Sequence, residues 1–233
     1  MERINLLPES LPSVSIIVAV YNQERFIGRC LRSLMQQSIP HHKYEIIVIN
    51  DGSTDNTDYA LKLFIDPKDS VVRVISNEKN LGLPASINKG IKASRANYIV
   101  RVDSDDFVNA NFVNFLYMYL ETNPEVDAVA CDYLLLDDTE TTLSRENCME
   151  NPIACGIMFR KHQLFEIGLY DEHYRLHEER EMRIRFEKKY KIDRLKLPLY
   201  RYRRHNDNIT NNLEEMKAYE LELAKKHGNN IKN

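Results

Sequence analysis

The sequence predicts an α/β protein built on a mostly parallel sheet, with helices covering both faces. Short β-branched runs with little polar interruption recur through the first hundred residues. Each is followed by a segment whose apolar residues return at helical spacing. Strands that read as continuous apolar runs, alternating with helices, are the signature of a parallel sheet buried on both sides. A further observation locates the chemistry: these runs end in polar, often acidic, residues.

The elements follow in order. Val14–Val20 reads as a buried strand, and behind it Phe26, Ile27, Cys30, Leu31 and Leu34 repeat with helical period. Tyr44–Asn50 is a second strand, followed by a helix opening near Asp55. Residues 71–76 form a third, with a helix over 84–93, and residues 98–102 a fourth that ends at Asp103. Beyond about residue 107 the pattern is less regular. It predicts a helix carrying Phe112, Phe115, Leu116, Tyr119 and Leu120, a strand at 128–131 and a polar loop or hairpin over 137–151. A short strand at 156–159, a helix at 161–167, a charged helix at 178–190, a strand at 195–200 and a surface helix at 213–226 complete it.

Composition narrows the function. The 233 residues are 43% hydrophobic and 29% charged, ordinary for a globular protein, and the net charge of −3 offers no basic field for nucleic acid. No apolar run approaches the roughly 20 residues of a membrane span. The first eight residues lack the pattern of a secretory signal. Cys30, Cys131, Cys148 and Cys155 share no ligand spacing and read as reduced thiols of a cytoplasmic protein. Asn208-Ile209-Thr210 matches a glycosylation acceptor, a pattern without meaning in that compartment. With seven glycines in all, the chain contains no dinucleotide fingerprint, no P-loop and no nucleophile elbow.

In an open α/β sheet the carboxyl ends of the strands form the ligand crevice. Here those ends are Tyr21-Asn22-Gln23-Glu24, Asp51-Gly52-Ser53-Thr54-Asp55, Asn80-Leu81-Gly82 and Asp103-Ser104-Asp105-Asp106. Ser53, Thr54 and Asp55 could serve only as helix caps. Asp51, wedged between an apolar strand and a turn, could accept hydrogen bonds from a base or a ribose. The run at 103–106 is either a solvated acidic turn or a set of oxygen ligands for a hard cation such as Mg²⁺ or Mn²⁺, which bridges carboxylates to phosphates.

These stretches resemble the family 2 glycosyltransferases of the GT-A fold, a Rossmann-type architecture with a C-terminal acceptor-side extension. The matching residues are Val14 to Asn22, Glu45 to Asp55, Asn80-Leu81-Gly82-Leu83 with Asn88 and Gly90, and Asp103 to Asp106. Weaker similarity continues through Phe159-Arg160, Gly168-Leu169-Tyr170-Asp171-Glu172 and Tyr200-Arg201-Tyr202. The resemblance implies one domain: a nucleotide-sugar half over 12–110, an acceptor and catalytic half over 111–210, and a C-terminal helix over 211–233.

It also implies an inverting transfer from a nucleotide-diphosphate sugar, with UDP the default, to a glycan or lipid-linked hydroxyl in surface-polysaccharide synthesis. Ala19, Tyr21 and Glu24 are expected at the nucleoside, Asp51 at the base, and Asn80, Gly82 and Asn88 beside the donor. Asp103 and Ser104 fall to ribose or sugar, and Asp105 with His205 to Mn²⁺ or Mg²⁺. The family's Glu-Asp pair corresponds to Glu178-Glu179, so Glu179 becomes the candidate base, with Glu178 and Glu181 as competitors. Arg203 and Arg204 are expected near the phosphates or an anionic acceptor. Such an acceptor would bring the chain to the inner membrane face, and the C-terminal helix could dock on a partner, a dimer mate or another domain. A sugar-phosphate nucleotidyltransferase would need a glycine-rich loop after the first strand. A catalytically degenerate binding module stays open because Glu179 replaces the usual aspartate.

Overall fold

The structure is a computed structural model that describes residues 11–66, 71–205 and 213–228. The readings of the first eight residues and of Asn208-Ile209-Thr210 fall outside that range. The elements are β1 (Val14–Val20), α1 (Ile27–Met35), β2 (Tyr44–Asn50), α2 (Thr57–Lys62), β3 (Val72–Ser76), α3 (Leu83–Ala93), β4 (Tyr98–Arg101) and β5 (Phe107–Val108). They continue with α4 (Phe112–Thr122), β6 (Ala128–Leu136), β7 (Thr142–Glu146), β8 (Ile157–Arg160), α5 (Lys161–Glu166), α6 (Glu178–Glu187), β9 (Ile192–Arg203) and α7 (Leu213–His227).

One sheet runs β3-β2-β1-β4-β8-β6-β9-β5, with β7 paired to β6. Its first four strands are parallel, as the apolar runs predict, and every residue of β1 and β2 is buried. The second half is mixed: β8 runs antiparallel to both β4 and β6, and β6 pairs parallel with β9. The hydrophobic pattern marked only the start of β6 and the middle of β9, because the buried Asp132 interrupts the apolar run of β6 and charged residues flank that of β9. Register shifts flank Asp132, which sits opposite Pro198, a residue unable to donate a ladder hydrogen bond.

Two apolar clusters sandwich the sheet. Ile27, Leu31 and Leu34 of α1 and Phe112, Val113 and Leu116 of α4 pack on one face. Ile87 and Ile91 of α3, Leu164 of α5 and Met182 and Phe186 of α6 pack on the other. Gly90 permits the approach of α3 to the sheet, since a Cβ there would lie 2.6 Å from Ile17 Cγ2.

The C-terminal helix packs on its own chain. Leu223 is fully buried, and Lys226 Nζ donates to Glu181 Oε1 at 2.8 Å and to Asp171 Oδ2 at 2.7 Å. Glu181 of α6 is itself fully buried and also accepts from Arg185 and lies 3.2 Å from His227 Nε2. It braces two helices and does not reach the cleft described below. Among the described residues no helix is long and apolar enough to cross a membrane.

Candidate active site

The carboxyl ends of β1, β2 and β4 open into a cleft of about 580 Å³. Ala19, Tyr21, Asp51, Asn80, Gly82, Asp103, Ser104 and Asp105 line it from the sheet side. Glu178 and Glu179, at the start of α6, line it together with Arg175 and His177. Residues from Ala19 to Tyr202 thus face one volume, the parallel strand ends supplying one side and the start of α6 the other.

The loops after β1 and β2 are stitched together. Asn22, in the left-handed region at φ 51°, accepts from Thr54 N through Oδ1 at 2.8 Å, and its own N–H donates to Ser53 Oγ at 3.0 Å. Thr57 Oγ1 accepts from Gln23 N, and Asp55 Oδ2 from Glu24 N. Ser53 to Asp55 therefore do more than cap a helix: they fix the loop that carries Tyr21. Glu24, expected at the nucleoside, belongs to this stitching. It is exposed, lies outside the cleft lining, and accepts the backbone N–H of Asn56 at 2.7 Å.

Asp51 is 3% exposed. Its Oδ1 accepts from Asn77 Nδ2 at 2.7 Å and Leu81 N at 2.9 Å, and its Oδ2 from Gly82 N at 3.0 Å. The carboxylate holds the 80–82 turn against the cleft as well as facing it. Gly52, at φ +70°, is needed here, because a Cβ would lie 2.6 Å from the Lys79 carbonyl carbon. Asn88 does not flank the cleft. Its side chain is buried against the 170–172 segment, accepting from Tyr170 N at 3.0 Å and donating to Tyr170 O at 2.8 Å and Glu172 at 3.0 Å.

The acidic run divides into distinct environments. Asp106 is buried and accepts from Tyr200 Oη and from Arg203 N, each at 2.7 Å. Burial, together with Asp105 and Asp103, pushes its carboxyl well above the usual range. It joins the run to β9. Asp105 Oδ2 lies 3.0 Å from His205 Nε2, whose ring is nearly sealed from solvent. Arg203, expected near phosphate, is already committed: it donates to Glu140 Oε1 at 2.9 Å and to the carbonyl of Asp105 at 3.0 Å.

Asp103 leads to a residue the sequence reading overlooked. Arg101 ends β4 with its side chain 6% exposed, donating through Nε to Asp103 Oδ1 at 2.7 Å and through Nη1 to Glu178 Oε1 at 2.8 Å. One guanidinium thus ties the strand-end carboxylate to the helix bearing the candidate base. The signal was present: a charge inside the apolar run Tyr98-Ile99-Val100-Arg101-Val102 demands a buried partner. Burial pushes the Glu178 carboxyl up to about 7 against the pull of Arg101. Glu179, one residue on, is half-buried and free of that clamp. His177, at φ 60°, turns the chain into α6 just before the pair.

Asp105 and His205 together place a carboxylate oxygen and an imidazole nitrogen 3.0 Å apart, within reach of one divalent ion. Among the described residues Asp103, Asp106 and Cys155 also converge. That trio suits a hard cation less well, because both Asp106 oxygens are engaged and burial pushes the Cys155 thiol well up.

The sequence profile named Glycosyl transferase family 2 matches residues 15–189, three quarters of the chain. The chain belongs to glycosyl transferase family 2. An uncharacterized glycosyltransferase of Haemophilus influenzae is 38% identical over 52% of this chain and 36% of its own. The Poly(ribitol-phosphate) beta-glucosyltransferase of Bacillus spizizenii is 30% identical over 67% of this chain and 29% of its own. The chain thus spans about a third of the length of these relatives. Among solved structures, Staphylococcus aureus TarS in complex with UDP-GlcNAc superposes with TM-score 0.77 at 17% identity, covering 92% of this chain and 66% of that one. Mannosyltransferase PcManGT from Pyrobaculum calidifontis, in complex with GDP-Man and Mn²⁺, gives 0.72 at 16% identity over 93% and 64%. Both share the GT-A fold of this family 2 member.

Proposed function

We propose that this family 2 member is an inverting glycosyltransferase that moves a sugar from a nucleotide-diphosphate donor to a hydroxyl of a glycan or lipid-linked acceptor. The observation that carries the reading is a single cleft holding Asp51, Asp103 and Asp105 at strand ends and Glu179 at the start of α6. A donor-binding edge and a candidate base thus face the same space. The UDP-GlcNAc and GDP-Man complexes of TarS and PcManGT support a nucleotide sugar as donor. The relative named for poly(ribitol-phosphate) supports an acceptor in surface-polymer synthesis.

In this mechanism Ala19, Tyr21 and Asp51 receive the nucleoside, and Asp103 and Ser104 position ribose or sugar. The acceptor oxygen bonds to the anomeric carbon from the face opposite the diphosphate. The bond from that carbon to the phosphate oxygen breaks, and its electron pair leaves on the nucleoside diphosphate. Glu179 takes the hydroxyl proton as the new bond forms. Glu178 is unsuited to that task, since it is buried and held by Arg101. A bound Mn²⁺ or Mg²⁺, held by Asp105 and His205, would neutralise the charge that develops on the departing diphosphate.

The test is a screen of nucleotide sugars for donor hydrolysis and transfer, with UDP calorimetry with and without Mn²⁺. Glu179→Gln is expected to lower transfer by about 10²–10⁴-fold while UDP affinity stays at the parental value. Parental turnover by a folded Glu179→Gln would remove Glu179 from the role. UDP binding with no turnover on any donor would leave a binding module.

A further inference from the structure

The cleft has an unbalanced charge. Six carboxyl groups line it, those of Asp51, Asp103, Asp105, Asp106, Glu178 and Glu179, with burial favouring the protonated form of Asp106 and Glu178, against two guanidiniums, those of Arg101 and Arg175. Arg101 is neutralised by Asp103 and Glu178. Arg175 has no hydrogen bond or ion pair with any described residue. Tyr174 and Leu176 on either side are 3% and 5% exposed and anchor the backbone, while Arg175 between them is exposed and lines the cleft.

We propose that Arg175 makes the cleft selective for an acceptor bearing a phosphate group. This rests on the transferase reading above and names its acceptor class. The guanidinium is a planar fork matched to phosphate oxygens, and an exposed one facing a carboxylate-lined cleft favours an anionic ligand that its neighbours would otherwise repel. The acceptor, rather than the donor, is the source of that anion because of where Arg175 lies in the chain. It sits four residues before Glu179, on the segment leading into α6, and the acceptor hydroxyl must reach Glu179. The donor diphosphate belongs with Asp105 and His205, on the loops after β4 and β9.

Once the screen has supplied a donor, the experiment compares parent, Arg175→Ala and Arg175→Lys on three acceptor classes. They are a ribitol-phosphate oligomer, a polyprenyl-diphosphate-linked disaccharide and a neutral oligosaccharide of similar length. The parent is expected to favour a phosphate-bearing acceptor, and comparison of the first two arms tells a polymer phosphodiester from a lipid-linked phosphate. In Arg175→Ala the KM for that acceptor is expected to rise about 10–100-fold, the range of a lost hydrogen-bonded charge contact. Arg175→Lys should recover part of the loss, and added salt should raise the acceptor KM of the parent more than that of Arg175→Ala. UDP affinity by calorimetry should match the parent in both variants. A preference for the neutral acceptor, or an unchanged KM in Arg175→Ala, overturns the proposal. A matched loss of UDP affinity assigns Arg175 to the donor and also overturns it. If the parent neither hydrolyses a donor nor transfers a sugar, the transferase reading itself falls.

Discussion

Arg101→Met removes the cation shared by Asp103 and Glu178, and the cost follows from burial. Glu178 has its side chain 5% exposed and loses the one cationic partner it has among the described residues, at 2.8 Å, whereas Asp103 is 27% exposed and can rehydrate. Stripping one partner from a buried pair costs about 3–5 kcal/mol, and here most of that falls on Glu178. With Arg101 present, burial already holds Glu178 up to about 7, above the roughly 4.3 of an unfolded glutamate. A carboxyl raised on folding supports the native state below its unfolded pKa, and that support is lost as pH rises through the folded value. Without Arg101 the folded pKa climbs further. The deficit of Arg101→Met is therefore small at pH 5, where Glu178 carries a proton, and full at pH 8. At about 2–4 °C per kcal/mol for a protein of this size, the fall in Tm at pH 8 is about 6–20 °C. Thermal melts of parent, Arg101→Met, Glu178→Gln and the double variant at pH 5 and 8 measure it. The double variant should regain most of the loss, since no buried charge remains. An equal deficit at both pH values, or no recovery in the double variant, would refute the coupling.

Asp51→Asn leaves one acceptor oxygen where three donors converge and turns an amide N–H toward another donor. It should cost about 1.5–3 kcal/mol and weaken UDP binding as the 80–82 turn loosens; parental melting and calorimetry together would contradict this. Glu181→Gln removes the fully buried charge that gathers Arg185 and Lys226. Against the opposing effect of burial, those two cations hold the Glu181 carboxyl below its usual range. Its contribution is thus present at neutral pH and lost as pH falls through that lowered value, the reverse of Glu178. Limited proteolysis at pH 7 should release α7 faster from the variant, and unchanged cleavage would mean that α7 is held by other contacts.

Long-range pairing explains what the sequence concealed. Glu24 and Asn88 carry the residue types of a donor site, yet their side chains serve backbone groups, at Asn56 in one case and at Tyr170 in the other. Nothing local separates a carboxylate that caps a loop from one that meets a ligand. The short β5 was hidden, because two residues have no hydrophobic period to detect, whereas β7 lies inside the stretch read as a polar loop or hairpin, and its pairing with β6 decides for the hairpin.

By itself the sequence determined the parallel half of the sheet and the rim of polar residues at its strand ends. Apolar periodicity is local, and the carboxyl end of each parallel strand follows from chain direction. Only the tertiary structure decided that Asp106 braces β9, that Arg203 is spoken for, and that Arg101 joins Asp103 to Glu178, which lies 77 positions beyond the arginine. It also decided that α7 folds back onto Glu181, and that Arg175, unlike Arg101, has no ion-pair partner among the described residues. A buried charge takes whichever opposite charge the fold brings within about 3 Å, and that choice is not written in the neighbouring residues.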